Sequence, residues 1–132
     1  YTVECDIFAP CALGAILNDD TIPRLKCRIV AGAANNQLKE PRHGDMLRER
    51  GILYAPDFVI NGGGVINVAE EYHPQGYSRE RALKRVATIY DKLLRVFQIA
   101  EERKISTAEA ADVMAEERMH KIHQLNRIYL AE

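Results

Sequence analysis

Three short apolar runs, at residues 5–9, 27–31 and 52–55, each break off into small residues and side-chain amides. Continuous apolar runs of this length suit strands buried on both faces. Pro10 ends the first, Gly32 the second and Pro56-Asp57 the third. Helix-like stretches separate them. Asn18-Asp19-Asp20-Thr21 supplies turn chemistry before a short helix whose first turn tolerates Pro23, and a second helix over residues 41–50 stops at Gly51. Strands alternating with short helices imply βαβ units, so the expected fold is α/β with a parallel sheet of about three strands. After Asn61-Gly62-Gly63-Gly64, residues 65–71 read as a further helix.

The rest of the chain is helical. Ser78 is a plausible cap for a long amphipathic helix, and Leu83, Val86, Ile89, Tyr90, Leu93, Leu94 and Phe97 fall at three- and four-residue steps on one face. That stripe reads as core or interface. Ser106 and Glu109 match the capping-box pattern at the start of a second helix, whose apolar side carries Ala111, Met114, Ile122, Leu125 and Tyr129. The loop at residues 73–77, with Pro74 and Gly76, is the one clear hinge, so the chain divides into parts 1–72 and 73–132.

A chain of 132 residues holds one real core. Its net charge of -1 argues against a general nucleic-acid binder. No apolar run approaches the roughly 20 residues of a membrane helix, and the first residues lack a secretory signal. A cytoplasmic protein is expected, and the opening Tyr1-Thr2-Val3 suggests a truncated or processed chain. The three cysteines, Cys5, Cys11 and Cys27, have no zinc or redox spacing and read as buried, reduced thiols.

In a parallel α/β sheet, ligands bind beyond the carboxyl ends of the strands. Three segments occupy such ends: Ala9-Pro10-Cys11-Ala12-Leu13-Gly14, Ala31-Gly32-Ala33-Ala34-Asn35-Asn36-Gln37 and Asn61-Gly62-Gly63-Gly64-Val65. Small residues let a ligand approach the backbone, Asn offers donor and acceptor, and glycines before a helix expose free N–H groups. Together they describe a site for a polar, flat or phosphorylated ligand. Each segment alone is equally a turn.

These stretches resemble leucine dehydrogenase and its phenylalanine- and valine-specific relatives. The likeness runs through Cys5-Asp6-Ile7-Phe8-Ala9-Pro10-Cys11-Ala12-Leu13-Gly14, Ala31-Gly32-Ala33-Ala34-Asn35-Asn36-Gln37-Leu38 and Tyr54-Ala55-Pro56-Asp57-Phe58-Val59-Ile60-Asn61-Gly62-Gly63-Gly64-Val65. It continues through Arg81-Ala82 and Ile89-Tyr90-Asp91 to Ala115-Glu116-Glu117-Arg118. The resemblance implies the later part of a Rossmann-type NAD domain, in the C-terminal half of an enzyme, followed by two long helices. It implies oxidative deamination of an apolar L-amino acid to a 2-oxo acid and ammonia, with NAD as cofactor and a homo-oligomeric assembly. By the same resemblance Pro10, Cys11 and Ala12 lie at the nicotinamide ribose. Asn36 contacts both cofactor and substrate, Asn61 sits at the nicotinamide end, and Val65 and Val68 line the substrate side-chain pocket. Their apolar character favours leucine, valine, isoleucine or phenylalanine over an acidic substrate, because a buried carboxylate would need a partner.

The family usually has Ala where Gly62 stands. No G-x-G-x-x-G fingerprint occurs, and the family's catalytic lysine and aspartate have no counterpart at matched positions, so the chain by itself is expected to be inactive. The alternative is a non-catalytic interaction or assembly module derived from such an enzyme. No metal is expected: His120 and His123 read as a solvated face, as does the basic run Arg79, Arg81, Lys84 and Arg85, while His43 reads as a surface or cap residue. The adjacent pairs Glu70-Glu71 and Glu116-Glu117 are not acid/base dyads, since neighbours on a helix diverge.

Overall fold

The computed structural model describes residues 1–129, with side chains described to residue 124. Three parallel strands, β1 (Ile7–Phe8), β2 (Ile29–Val30) and β3 (Leu53–Tyr54), form one sheet in the order β1-β2-β3. The helices are α1 (Arg42–Glu49), α2 (Asp57–Ile60), α3 (Gly63–Ala69), α4 (Arg79–Arg103) and α5 (Thr107–Tyr129). Short 3-10 turns occupy Ile22–Arg24 and Glu70–Tyr72. The α/β class, three parallel strands and two long final helices agree with the sequence reading. The helix α2 was not foreseen; four residues after a proline carry no usable periodicity.

The strands are shorter than their apolar runs, and the sheet is covered on one face only. Phe8, Val30 and Tyr54 stand in register, and Val30 and Tyr54 are buried in the core with Leu17, Ile22, Leu25, Leu47 and Ile52. The alternate register row is open: Ile7 is 56% and Leu53 41% exposed. This corrects the expectation of strands buried on both faces. Side chains alternate along a strand, so an apolar run supplies two apolar faces whether or not the described residues cover both.

Both long helices begin where the sequence places them. Ser78 Oγ accepts from Arg81 N at 3.3 Å, and Ser106 Oγ accepts from Glu109 N at 3.4 Å. Deep packing between α4 and α5 uses Val96, Ile99, Ala100, Ala110 and Ala111. Small residues dominate this contact, which lets the two backbones approach closely. The predicted apolar stripe is therefore split: Phe97 packs against this cluster, whereas Leu83, Tyr90 and Leu94 are exposed. Leu125 and Tyr129 of the second stripe lie beyond the described side chains.

Two other expectations change. The basic run is not wholly a solvated face: Arg81 Nε donates to the buried Glu70 carboxylate, with Arg85 at 3.7 Å from its other oxygen. His43 is fully buried rather than on the surface; its Nδ1 accepts from Glu40 N at 2.9 Å and its Nε2 lies 3.3 Å from Asp19. Arg42 grips the same Asp19 and holds its carboxyl well below the usual range. Cys5 and Cys11 are exposed, and only Cys27 is buried.

Close approach of two loops requires Gly32. A Cβ there would fall 2.1 Å from Pro10 O and 2.4 Å from Pro10 N, both backbone atoms. Gly63 has nothing within 4 Å of its hypothetical Cβ. Gly32→Ala should therefore lower unfolding free energy by about 3 kcal/mol. Gly63→Ala should be neutral or stabilising by up to ~1 kcal/mol. Urea denaturation of both variants measures the contrast, and equal midpoints would contradict the proposed crowding.

Candidate functional site

The three loops at the carboxyl ends of the strands are joined to one another before any ligand is considered. Backbone bonds join the first two: Ala34 N donates to Pro10 O at 2.9 Å, and Ala15 N to Asn36 O at 2.7 Å. Gln37 is fully buried, and its Nε2 donates to Gly32 O at 2.8 Å and Ala34 O at 2.9 Å, which closes the second loop on itself. The second and third loops meet through Asp57. One of its oxygens accepts from Asn36 N at 2.7 Å and the other from the Tyr54 hydroxyl at 2.6 Å. Asn36 has φ 53°, in the left-handed region that Asn tolerates better than most residues. Asn61 Nδ2 donates to Asn35 Oδ1 at 2.5 Å across the same gap.

An open cleft of about 690 Å³ lies on this platform, lined by Asn35, Asn61, Val65 and Val68 with Ala33 and Tyr72 among their neighbours. No charged side chain lines it. Val65 is 75%, Val68 52% and Tyr72 85% exposed, so the cleft is a wall rather than a closed pocket. Of the residues singled out from sequence, Asn61, Val65 and Val68 come together here. Pro10 is buried beneath the first loop, Cys11 and Ala12 are exposed outside the cleft lining, and the Asn36 amide N–H is engaged by Asp57. Sequence reasoning placed Asn35 in a candidate segment without giving it a role of its own, and did not single out Asp57 or Tyr54. Pro56-Asp57 had read only as a strand end, and nothing in its spacing announces a carboxylate that reaches back 21 positions.

The three glycines leave space rather than relieve strain. A Cβ at Gly62, Gly63 or Gly64 would meet nothing within 4 Å, and none of them has a positive φ. The usual Ala therefore fits at position 62 without a clash. A second hollow of about 560 Å³, near Leu53, Phe97 and Lys104, opens between α1 and the α4–α5 turn and shares no residue with this cleft. Among the described residues no group of three or more His, Cys, Asp or Glu side chains could hold a metal ion, and His120 and His123 are both exposed. Among them, too, no helix is long and apolar enough to cross a membrane.

The family model described as glutamate/leucine/phenylalanine/valine dehydrogenase matches residues 1–127. The chain belongs to this family. It is 63% identical over 132 residues to leucine dehydrogenase of Thermoactinomyces intermedius, covering 100% of this chain and 36% of that protein. Leucine dehydrogenase of Geobacillus stearothermophilus is 59% identical over 130 residues, or 98% of this chain and 35% of the relative. The crystal structure of L-tryptophan dehydrogenase from Nostoc punctiforme superposes with a TM-score of 0.86 at 54% identity, covering 91% of this chain and 36% of that one. The chain thus spans about a third of the length of these dehydrogenases. That share does not by itself place it in the C-terminal half that the motifs suggest.

Tyr54 gives the platform a pH signature. Burial first, and then the Asp57 carboxylate that its hydroxyl serves, push the phenol above its ordinary value near 10. A raised folded value means that the neutral form is favoured by folding. The associated stability is full below about pH 10 and declines as the pH climbs beyond it. Tyr54→Phe should cost about 1–2 kcal/mol at neutral pH, because Asp57 loses a partner. The variant should also lose stability less steeply between about pH 9 and 11 than the unaltered chain. Urea midpoints across that range read the difference, and parallel slopes would refute the assignment.

Proposed function

We propose that this chain is the cofactor-side part of an NAD-dependent enzyme that oxidatively deaminates an apolar L-amino acid, of the leucine, valine, isoleucine or phenylalanine kind. The observation that carries this reading is an uncharged cleft whose amides, Asn35 and Asn61, stand beside the exposed apolar side chains Val65 and Val68. Such a wall fits a flat ring that carries a carboxamide and an aliphatic or aromatic side chain. It offers no cation for a pyrophosphate or for a second substrate carboxylate. The residues thus fit the nicotinamide end of the cofactor, while its phosphates need groups from elsewhere in a longer protein. When bound, NAD supplies the acceptor for hydride from the amino acid.

In this reading Pro10, Cys11, Ala12, Asn36 and Asn61 form the cofactor's side of the site, with Asn36 also reaching the substrate. Asp57 holds the Asn36 backbone in place and leaves its side-chain amide without a partner among the described residues. Val65 and Val68 select the substrate side chain. Residues 1–72 are the later part of the cofactor domain and residues 73–132 a helical segment that follows it. The assembly is a homo-oligomer of the complete polypeptide.

The test uses the polypeptide that carries this chain as its source produces it. That polypeptide should form NADH from L-leucine and NAD, whereas residues 1–132 alone should form none above buffer. Val65→Ala in the complete polypeptide should raise kcat/KM on phenylalanine relative to leucine by about 10-fold, since deleting methyl groups from an apolar pocket is worth 1–3 kcal/mol of discrimination. An unchanged ratio would remove Val65 from the pocket, and steady turnover by the isolated chain would overturn its proposed dependence on missing groups.

A further inference from the structure

Cys5 and Cys27 each lie two residues before a strand, β1 and β2, on adjacent chain segments. Glu4 pairs with Lys26 and Ile7 with Ile29, so the two cysteines lie bracketed between pairings of the same offset. Neighbouring strands run about 4.8 Å apart. This is inside the Cα separation of about 4.4–6.8 Å that a disulfide bridges. Both cysteines line one small cavity of about 170 Å³ with Tyr1, Phe8 and Leu25. Cys5 is exposed and Cys27 is only 7% exposed. Burial raises the Cys27 thiol above its ordinary range, and proximity to Cys5 adds to the effect.

We propose that Cys5 and Cys27 form an oxidation-sensitive pair that closes to an intrachain disulfide when the protein meets a peroxide. The exposed Cys5 is the first to react, because attack requires an accessible thiolate and burial disfavours that form at Cys27. The Cys5 thiolate attacks one peroxide oxygen, the O–O bond breaks, and the departing hydroxide takes up a proton to leave as water. Cys5 is then a sulfenic acid. The Cys27 sulfur attacks the Cys5 sulfur, the S–O bond breaks, and the hydroxyl leaves with the Cys27 proton as a second water. Two thiols and one peroxide thus give one disulfide and two waters. Cys11 lies past Pro10, at the opposite end of β1, where the register provides no cysteine partner.

Dilute, fully reduced chain treated with hydrogen peroxide and then alkylated under denaturing conditions with N-ethylmaleimide tests this by intact mass. Of the three thiols, one should remain to take the label, on a monomer lighter by two hydrogens, and dithiothreitol should restore all three. Cys11→Ser should still form the bridge and keep no free thiol. Cys5→Ser, an exposed change that leaves the core intact, should form none. A bridge that includes Cys11, a disulfide-linked dimer, or a Cys5 sulfenic acid captured by dimedone with no bridge following would each overturn the proposal.

Discussion

The Asp57 carboxylate is the point on which the arrangement of the site depends. It is buried, and it accepts from the Asn36 amide at one oxygen and from the Tyr54 hydroxyl at the other. A buried carboxylate is tolerated only when such donors replace water, so the loop after β2 is fixed relative to the end of β3. The same bond sets the left-handed Asn36 backbone, whose carbonyl then accepts from Ala15 and draws in the loop after β1. Thr107 Oγ1 donates to Tyr54 O at 2.7 Å, which ties the start of α5 to β3. Three chain segments distant in sequence are thereby held to one geometry by neutral and charge-assisted bonds, with no residue of the cleft itself spent on the task except Asn35 and Asn61.

A second buried carboxylate does the corresponding work between the cleft and the helices. Glu70 ends the segment that carries Val65 and Val68, and it is 1% exposed. Arg81, which is partly exposed, reaches it from the first turn of α4 and also donates to Gly76 O in the intervening loop. Removing Arg81 would leave the buried Glu70 charge with only Arg85 at 3.7 Å, which costs more than the pair contributes. The hinge suggested by Pro74 and Gly76 is consequently clasped on both sides. A chain can pass through hinge-like residues and still be held firmly, because Pro and Gly report local backbone freedom and not the contacts made around it.

That distinction governs what was legible in the sequence. Helix starts at Ser78 and Ser106, the strand order in the chain and the position of the cleft follow from capping chemistry, apolar runs and the rule that ligands sit at carboxyl strand ends. These are local signals, and Asn61, Val65 and Val68 were found by them together with the family resemblance. Asp57 and the pairing of Asn35 escaped because they act across 21 and 26 positions, set only when the strands assemble, and the Tyr54 hydroxyl serves Asp57 from three positions away in a turn with no recognisable spacing. The burial of His43 escaped for the same reason: its polar neighbours Arg42 and Glu40 suggest a surface, but Asp19 comes from 24 residues away to meet it. The exposed row of Ile7 and Leu53 shows the converse limit, for apolar residues in a strand record that a face is suited to burial and not what buries it.

Exposed apolar residues occur along much of the described chain. Val65, Val68 and Tyr72 face the cleft, Leu83, Tyr90 and Leu94 lie along α4, and Ile7 lies on the sheet. Isolated exposed apolar residues are ordinary, but a cleft wall that is apolar, uncharged and more than half exposed is a surface shaped for something to lie on it. The platform beneath that wall is over-determined: a backbone network, a buried carboxylate and an amide pair all fix it. On the function proposed above, a platform fixed in this way suits a site whose opposite wall comes from another part of a longer polypeptide. In that reading, this part of the molecule supplies the platform and one wall of the site.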